Sequence, residues 1–134
     1  MKTNPGSGLV IYAKDHRRLA DFYAQVAALA VAETTEGYVV LESSGLQLVI
    51  VRMRQEIADQ IVVSDPPLIR EETPIKPVFI VPSLAASRAA AARTSGRVKP
   101  PEAEWRFGLA LGVDGYDPEG NVFRLQQFLP QAPE

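Results

Sequence analysis

The chain has 134 residues, 46% hydrophobic and 22% charged, with a net charge of −2; that is one domain's length, enough for a core without covalent staples. The balanced charge gives no support for nucleic acid as a partner, since phosphate binding needs a basic patch. Cysteine is absent, which excludes disulfides, thiolate metal centres and thiol nucleophiles, and a single histidine, His16, excludes any site built from two imidazoles of one chain.

Met1 to Gly8 carries one lysine and no apolar run, so no secretory signal is expected. The most apolar stretches, Ala27 to Ala32 and Leu48 to Val51, are far short of a membrane span. A cytoplasmic location is the expectation.

Leu9 to Ala13 is short and β-rich and predicts a strand. Asp15 then offers a carboxylate to the free amides of a helix running to about Val26, in which Leu19, Phe22, Tyr23 and Val26 share one face. From Leu29 the period changes to two, predicting strands over Ala30 to Thr34, Tyr38 to Glu42 and Leu46 to Arg52, joined by short glycine-containing turns. Met53 to Pro74, with Asp65-Pro66-Pro67 and the charged run Arg70-Glu71-Glu72, breaks the pattern and reads as a connector, of which Gln55 to Val63 could form a turn of helix or a strand.

The order then repeats. Lys76 to Val81 predicts a strand, Ser83 a helix cap, and Leu84 to Thr94 an alanine-rich helix closed by Gly96 in the left-handed conformation. Arg97 to Lys99 predicts a short strand, and Trp105 to Asp114 with Val122 to Phe128 a final hairpin turned by Asp117-Pro118-Glu119-Gly120-Asn121. The two helix starts, Asp15 and Ser83, lie 68 residues apart, which reads as an internal duplication of a β-α-β-β-β unit. The expectation is an α+β domain over residues 8–128: unit one 8–52, connector 53–74, unit two 75–128.

Two segments carry a family resemblance: GLVIYAKDHRRLADFYAQV at the start and YDPEGNVFRLQQ near the end. With the duplication, they resemble the vicinal oxygen chelate superfamily, which groups glyoxalase I, bleomycin-resistance proteins and extradiol dioxygenases. One departure is Ala27-Ala28-Leu29, where members often show Leu-Gly. The resemblance implies a curved eight-stranded, mostly antiparallel sheet around a cleft, with the helices outside. It also implies four cleft positions at which metal-dependent members place ligands, and these fall here on Gly8, Gln47, Lys76 and Arg124. A glycine, one amide and two cations cannot hold a divalent ion, so neither a metal nor another cofactor is expected.

If those four residues point into the cleft, alternation places Val10, Tyr12, Val49, Val51, Val78, Ile80, Val122, Gln126 and Phe128 beside them. Leu9, Ile11, Leu46, Leu48, Ile50, Phe79, Phe123 and Leu125 then face the helices. Lys76 and Arg124 either bind an anion or pair with an acid of the same chain, such as Glu42 or Glu104, or with a second subunit. Trp105 and Phe107 either stack on a planar ligand or pack in a core or interface. His16 reads as a surface residue, and Gly6-Ser7-Gly8 precedes a strand and so is no phosphate loop.

The expected ligand-binding set is Tyr12, Gln47, Lys76, Trp105 and Arg124, with no catalytic residue assigned. The leading functional expectation is a homodimeric, non-catalytic binding protein of the bleomycin-resistance type, taking a small anionic or aromatic molecule and touching neither nucleic acid nor membrane. The alternatives are a lyase, isomerase or dioxygenase, metal-free or with metal ligands elsewhere, and an interaction module with a collapsed cleft.

Overall fold

The computed structural model describes residues 4–130; Met1 to Thr3 of the expected leaderless N-terminus lie outside them. The first half contains strand β1 (Gly8–Ala13), helix α1 (His16–Val26) and strands β2 (Ala30–Thr34), β3 (Tyr38–Glu42) and β4 (Gln47–Arg52). After a one-turn helix α2 (Gln55–Ala58) come β5 (Val78–Ile80), α3 (Leu84–Arg93), β6 (Arg97–Val98), β7 (Trp105–Phe107), β8 (Ala110–Tyr116) and β9 (Val122–Phe128).

Hydrogen bonding sorts the strands into two mixed sheets. The first has the order β1-β4-β3-β2, the second β5-β9-β8-β6, with β7 also paired to β8. In each, the strand before the long helix pairs in parallel with the last strand, and the other pairs are antiparallel. This corrects the expected single sheet of eight strands: there are nine among the described residues, and no ladder joins β1 to β5. The extra strand arises because Trp105 to Asp114 is not continuous. The chain reverses at Gly108-Leu109, so β7 folds back on β8, Phe107 opposite Ala110 and Trp105 opposite Gly112.

The long helices cap as expected at their starts. Asp15 accepts from the Arg18 amide at 3.1 Å and Ser83 from the Ala86 amide at 3.1 Å. Their ends differ from expectation. The left-handed residue after α3 is Ser95 (φ 69°), not Gly96, and Ala28 (φ 56°) occupies the matching place after α1. Gly96 is required for a different reason: a Cβ there would sit 2.1 Å from a ring carbon of Phe22.

One core lies under both sheets. Leu19, Phe22, Tyr23 and Val26 of α1 are fully buried, together with Leu48 and Ile50 of the first sheet and Phe123 and Leu125 of the second. Phe22, Tyr23, Phe79 and Phe123 form an aromatic cluster with ring centroids 5.2–6.3 Å apart. Thus α1 packs on both halves. His16 is also buried, contrary to its expected surface position, with Nε2 3.3 Å from the Thr35 carbonyl. The first turn of α1 lies against the β2–β3 turn there, a contact that no local pattern reveals.

A second link between the halves uses the turn Asp117 to Asn121. The Asp117 carboxylate is buried and accepts from Tyr23 Oη (2.7 Å), the Glu119 and Asn121 amides and Asn121 Nδ2. The Glu119 carboxylate accepts from the backbone amides of Lys14 and Asp15, both at 2.8 Å, at the β1–α1 junction. The turn thus satisfies donors of the first half with acids of the second.

Candidate functional site

Each sheet buries one face against the helices and leaves the other open. On the second sheet, register aligns the open face in rows. Arg97, Tyr116 and Val122 form one row, and Asp114, Arg124 and Val78 the next. Trp105, Gly112, Gln126 and Ile80 form a third. Lys99 joins the second row, its amide donating to the Asp114 carbonyl at 3.0 Å.

Asp114 organises this face. Its carboxylate accepts from Lys76 Nζ at 2.8 Å and from Arg124 Nε at 3.0 Å. Burial pushes the Asp114 carboxyl upward, but the hydrogen bonds and charges of Lys76 and Arg124 outweigh it and leave the pKa below the ordinary value. The Arg124 guanidinium also lies 4.7 Å from the centre of the Trp105 ring, a cation–π contact. Lys76 and Arg124 therefore do have a partner in their own chain, but it is neither Glu42 nor Glu104. Glu104 pairs with Arg88 at 2.6 Å. The signal for Asp114 lay in the sequence: counting outward from the Asp117–Asn121 turn places it opposite Arg124.

Beside the triad is a cavity of about 380 Å³. Ile69, Glu71 and Thr73 of the connecting segment form one wall, and Lys76, Arg97 and Lys99 stand on the sheet side. Asp114, Tyr116 and Val122 complete it. Arg97, Lys99 and Glu71 were not among the expected site residues, because nothing local indicates that the connector folds back over β8.

The five expected binding residues are not gathered at one place. Lys76 lines this cavity, while Arg124 and Trp105 lie beyond Asp114 on the same sheet. Tyr12 lines a separate cavity of about 340 Å³ with Val10, Ile75 and Val122. Gln47 sits opposite Gly8 in the first sheet. The four positions at which the family resemblance would place metal ligands thus offer one amide oxygen, no side chain at Gly8, and two cations held by Asp114. That donor set does not fit a divalent ion. Among the described residues no group of three or more histidine, aspartate or glutamate side chains could hold one either, and no helix is long and apolar enough to cross a membrane.

No match was found among curated proteins. Several solved structures share the fold. A glyoxalase/bleomycin resistance protein/dioxygenase family enzyme from Burkholderia phytofirmans PsJN has 18% identity and a TM-score of 0.64, the match covering 91% of this chain and 97% of the other. TnmS3, an antibiotic binding protein from Streptomyces sp. CB03234, has 17% identity and a TM-score of 0.60 over 96% and 99% of the two chains. The fosfomycin resistance protein FosX from Listeria monocytogenes has 14% identity and a TM-score of 0.59 over 96% and 95%. A family model, the glyoxalase-like domain, matches residues 8–126. The β1–α1 start and the Asp-Pro-Glu-Gly-Asn turn both fall within that match, and the chain belongs to the glyoxalase-like domain family, within the vicinal oxygen chelate superfamily.

Proposed function

We propose that this chain is a cytoplasmic binding protein of the bleomycin-resistance type that takes a small anionic or aromatic molecule on the open face of the second sheet, without a metal. The observation that carries this reading is the charge of that face. Lys76, Arg97, Lys99 and Arg124 surround a single sheet carboxylate, Asp114, in a chain whose net charge is −2. Apolar side chains flank the cations: Val78, Ile80, Trp105 and Phe128. An apolar shelf with a few converging charges suits a small ligand of opposite sign. The fold shared with an antibiotic binding protein is consistent with such a role.

The same reading holds residues 8–52 and 75–128 to be the two halves of one domain, with 53–74 between them, and the chain to be a homodimer. Tyr12 and Ile80, on the open faces of β1 and β5, are 65% and 63% exposed, with Val10, Val78 and Phe128 exposed nearby. A second copy placed over these faces would cover them, the first sheet of one chain and the second sheet of the other enclosing one curved cleft.

The test is a thermal-shift screen of small aromatic and carboxylate compounds, with elemental analysis of protein purified without a histidine tag. Carboxylate-bearing compounds should raise Tm by several degrees at saturation, about 3 °C per kcal/mol of binding free energy. A screen in which carboxylates and neutral aromatics alike leave Tm unchanged overturns the binding reading. About one equivalent of zinc, nickel, manganese or iron per chain overturns its metal-free part.

A further inference from the structure

We infer that the acidic group of the ligand is held by Arg97 and Lys99 in the cavity under the connecting segment, and that the ligand is a small monocarboxylate with an apolar body. This rests on the binding reading above and says where, and for what charge, the site is built.

The other cations of the second sheet's open face are already satisfied. Lys76 and Arg124 close on Asp114. Arg97 and Lys99 are not: among the described residues no acid and no hydrogen-bond acceptor engages either side chain. They stand two residues apart on and just after β6, so strand alternation sends both to the same side. That side is the cavity of about 380 Å³, which both residues line. Both cations line this space without a partner of their own among the described residues, and an anion there can take charge-assisted hydrogen bonds from each.

The remaining walls set the ligand's charge and shape. The lining holds three cations, Lys76, Arg97 and Lys99, and two carboxylates, Asp114 and Glu71, a net of one positive charge. A carboxylate neutralises it; a phosphate dianion would leave an excess of negative charge against Glu71 and Asp114. Arg97 offers a planar fork that matches a carboxylate, and Lys99 a point charge. Ile69, Val122 and Tyr116 supply apolar surface for the rest of the molecule.

The wall that carries Ile69 and Glu71 is fixed in place. The Arg70 amide donates to the Gly120 carbonyl at 2.9 Å. Gly120 has φ +86°, and a Cβ on it would lie 2.1 Å from the Leu68 carbonyl oxygen, so the segment rests directly on the turn backbone. That wall of the cavity is therefore held by contacts to the β8–β9 turn.

The test is calorimetric titration of 1-naphthoate, its neutral amide 1-naphthamide, and phenyl phosphate into the wild type, Arg97→Gln, Lys99→Gln and Arg124→Gln. Both β6-side positions are exposed, and circular dichroism and Tm check that the variants fold; Arg97→Lys supplies a second variant that keeps the charge and loses the fork. The expected result is naphthoate binding weakened about 10-fold or more in Arg97→Gln and in Lys99→Gln. Arg97→Lys should fall between wild type and Arg97→Gln, the amide should bind equally to all proteins, and phenyl phosphate should bind more weakly than naphthoate. Naphthoate binding that is unchanged in both Arg97→Gln and Lys99→Gln, or lost only in Arg124→Gln, overturns the inference while the binding reading stands. Tighter binding of phenyl phosphate than of naphthoate overturns the monocarboxylate assignment. Failure of both naphthoate and the amide to bind the wild type overturns the inference together with the reading it rests on.

Discussion

Ala28 and Ser95 end the two long helices in the left-handed region, where a Cβ crowds the neighbouring carbonyl. Ala28 is exposed and makes its left-handed turn with a side chain in place, so the conformation has a cost that glycine would not bear. Ala28→Gly should stabilise the protein by about 0.5–1 kcal/mol, read from urea unfolding midpoints; no gain would mean that φ relaxes at no cost. Asp114 makes a prediction in pH. Its carboxyl is held below the ordinary 3.8 because Lys76 and Arg124 outweigh the effect of burial. The folded state therefore binds that proton less readily than the unfolded chain. The stability it contributes is present above about 3.8 and is lost as pH falls through the lowered value. Asp114→Asn should destabilise the protein at pH 7 and progressively less as pH falls below about 3.8, so that the gap between the two unfolding curves narrows in acid. A gap independent of pH would show that the ion triad is energetically silent.

At the scale of elements, the hairpin β8–β9 and its turn hold the most consequence per residue. Asp117-Pro118-Glu119-Gly120-Asn121 looks like a surface turn in the sequence, yet Asp117 and Glu119 are buried. One carboxylate caps its own turn and Tyr23, the other the amides of Lys14 and Asp15. Burial raises the Asp117 carboxyl above 3.8 despite hydrogen bonds from Tyr23, Asn121 and two amides. Its stabilising effect is thus fullest below about 3.8 and declines as pH rises through the raised value, opposite in sign to Asp114. Glu119→Ala leaves two backbone donors without their acceptor and should cost about 1–3 kcal/mol. Faster hydrogen exchange at the Lys14 and Asp15 amides should accompany the loss; unaltered exchange at both would show that water replaces the carboxylate without penalty.

At the scale of the whole molecule, α1 joins the two sheets through one aromatic cluster, while much of their open faces stays exposed. Exposed valine, isoleucine, tyrosine and phenylalanine side chains on β1, β5 and β9 favour association with another surface. Light scattering across micromolar concentrations should give twice the chain mass of 14.6 kDa; a mass equal to one chain would reject the dimer. Ile80→Glu, on the open face and 63% exposed, should shift the equilibrium toward monomer without disturbing the buried core.

The sequence by itself determined the elements and their faces. Periodicity separated α1 from the strands, alternation put Leu48, Ile50, Phe123 and Leu125 inward, and the two end motifs pointed to the family. These are local properties, set by backbone geometry over a few residues. Three things were decided only in the tertiary structure. Trp105 to Asp114 split into β7 and β8, because pairing with β8 outweighed the strand propensity of one continuous run. Gly96 owes its place to the ring of Phe22, 74 residues away in sequence, and not to its φ. Asp114, Arg97, Lys99 and Glu71 share one cavity because register across β6, β8 and β9, and the return of the connecting segment over them, bring together charges that the sequence keeps far apart. Contacts between distant segments depend on which surfaces bury each other, and a one-dimensional pattern does not carry that information.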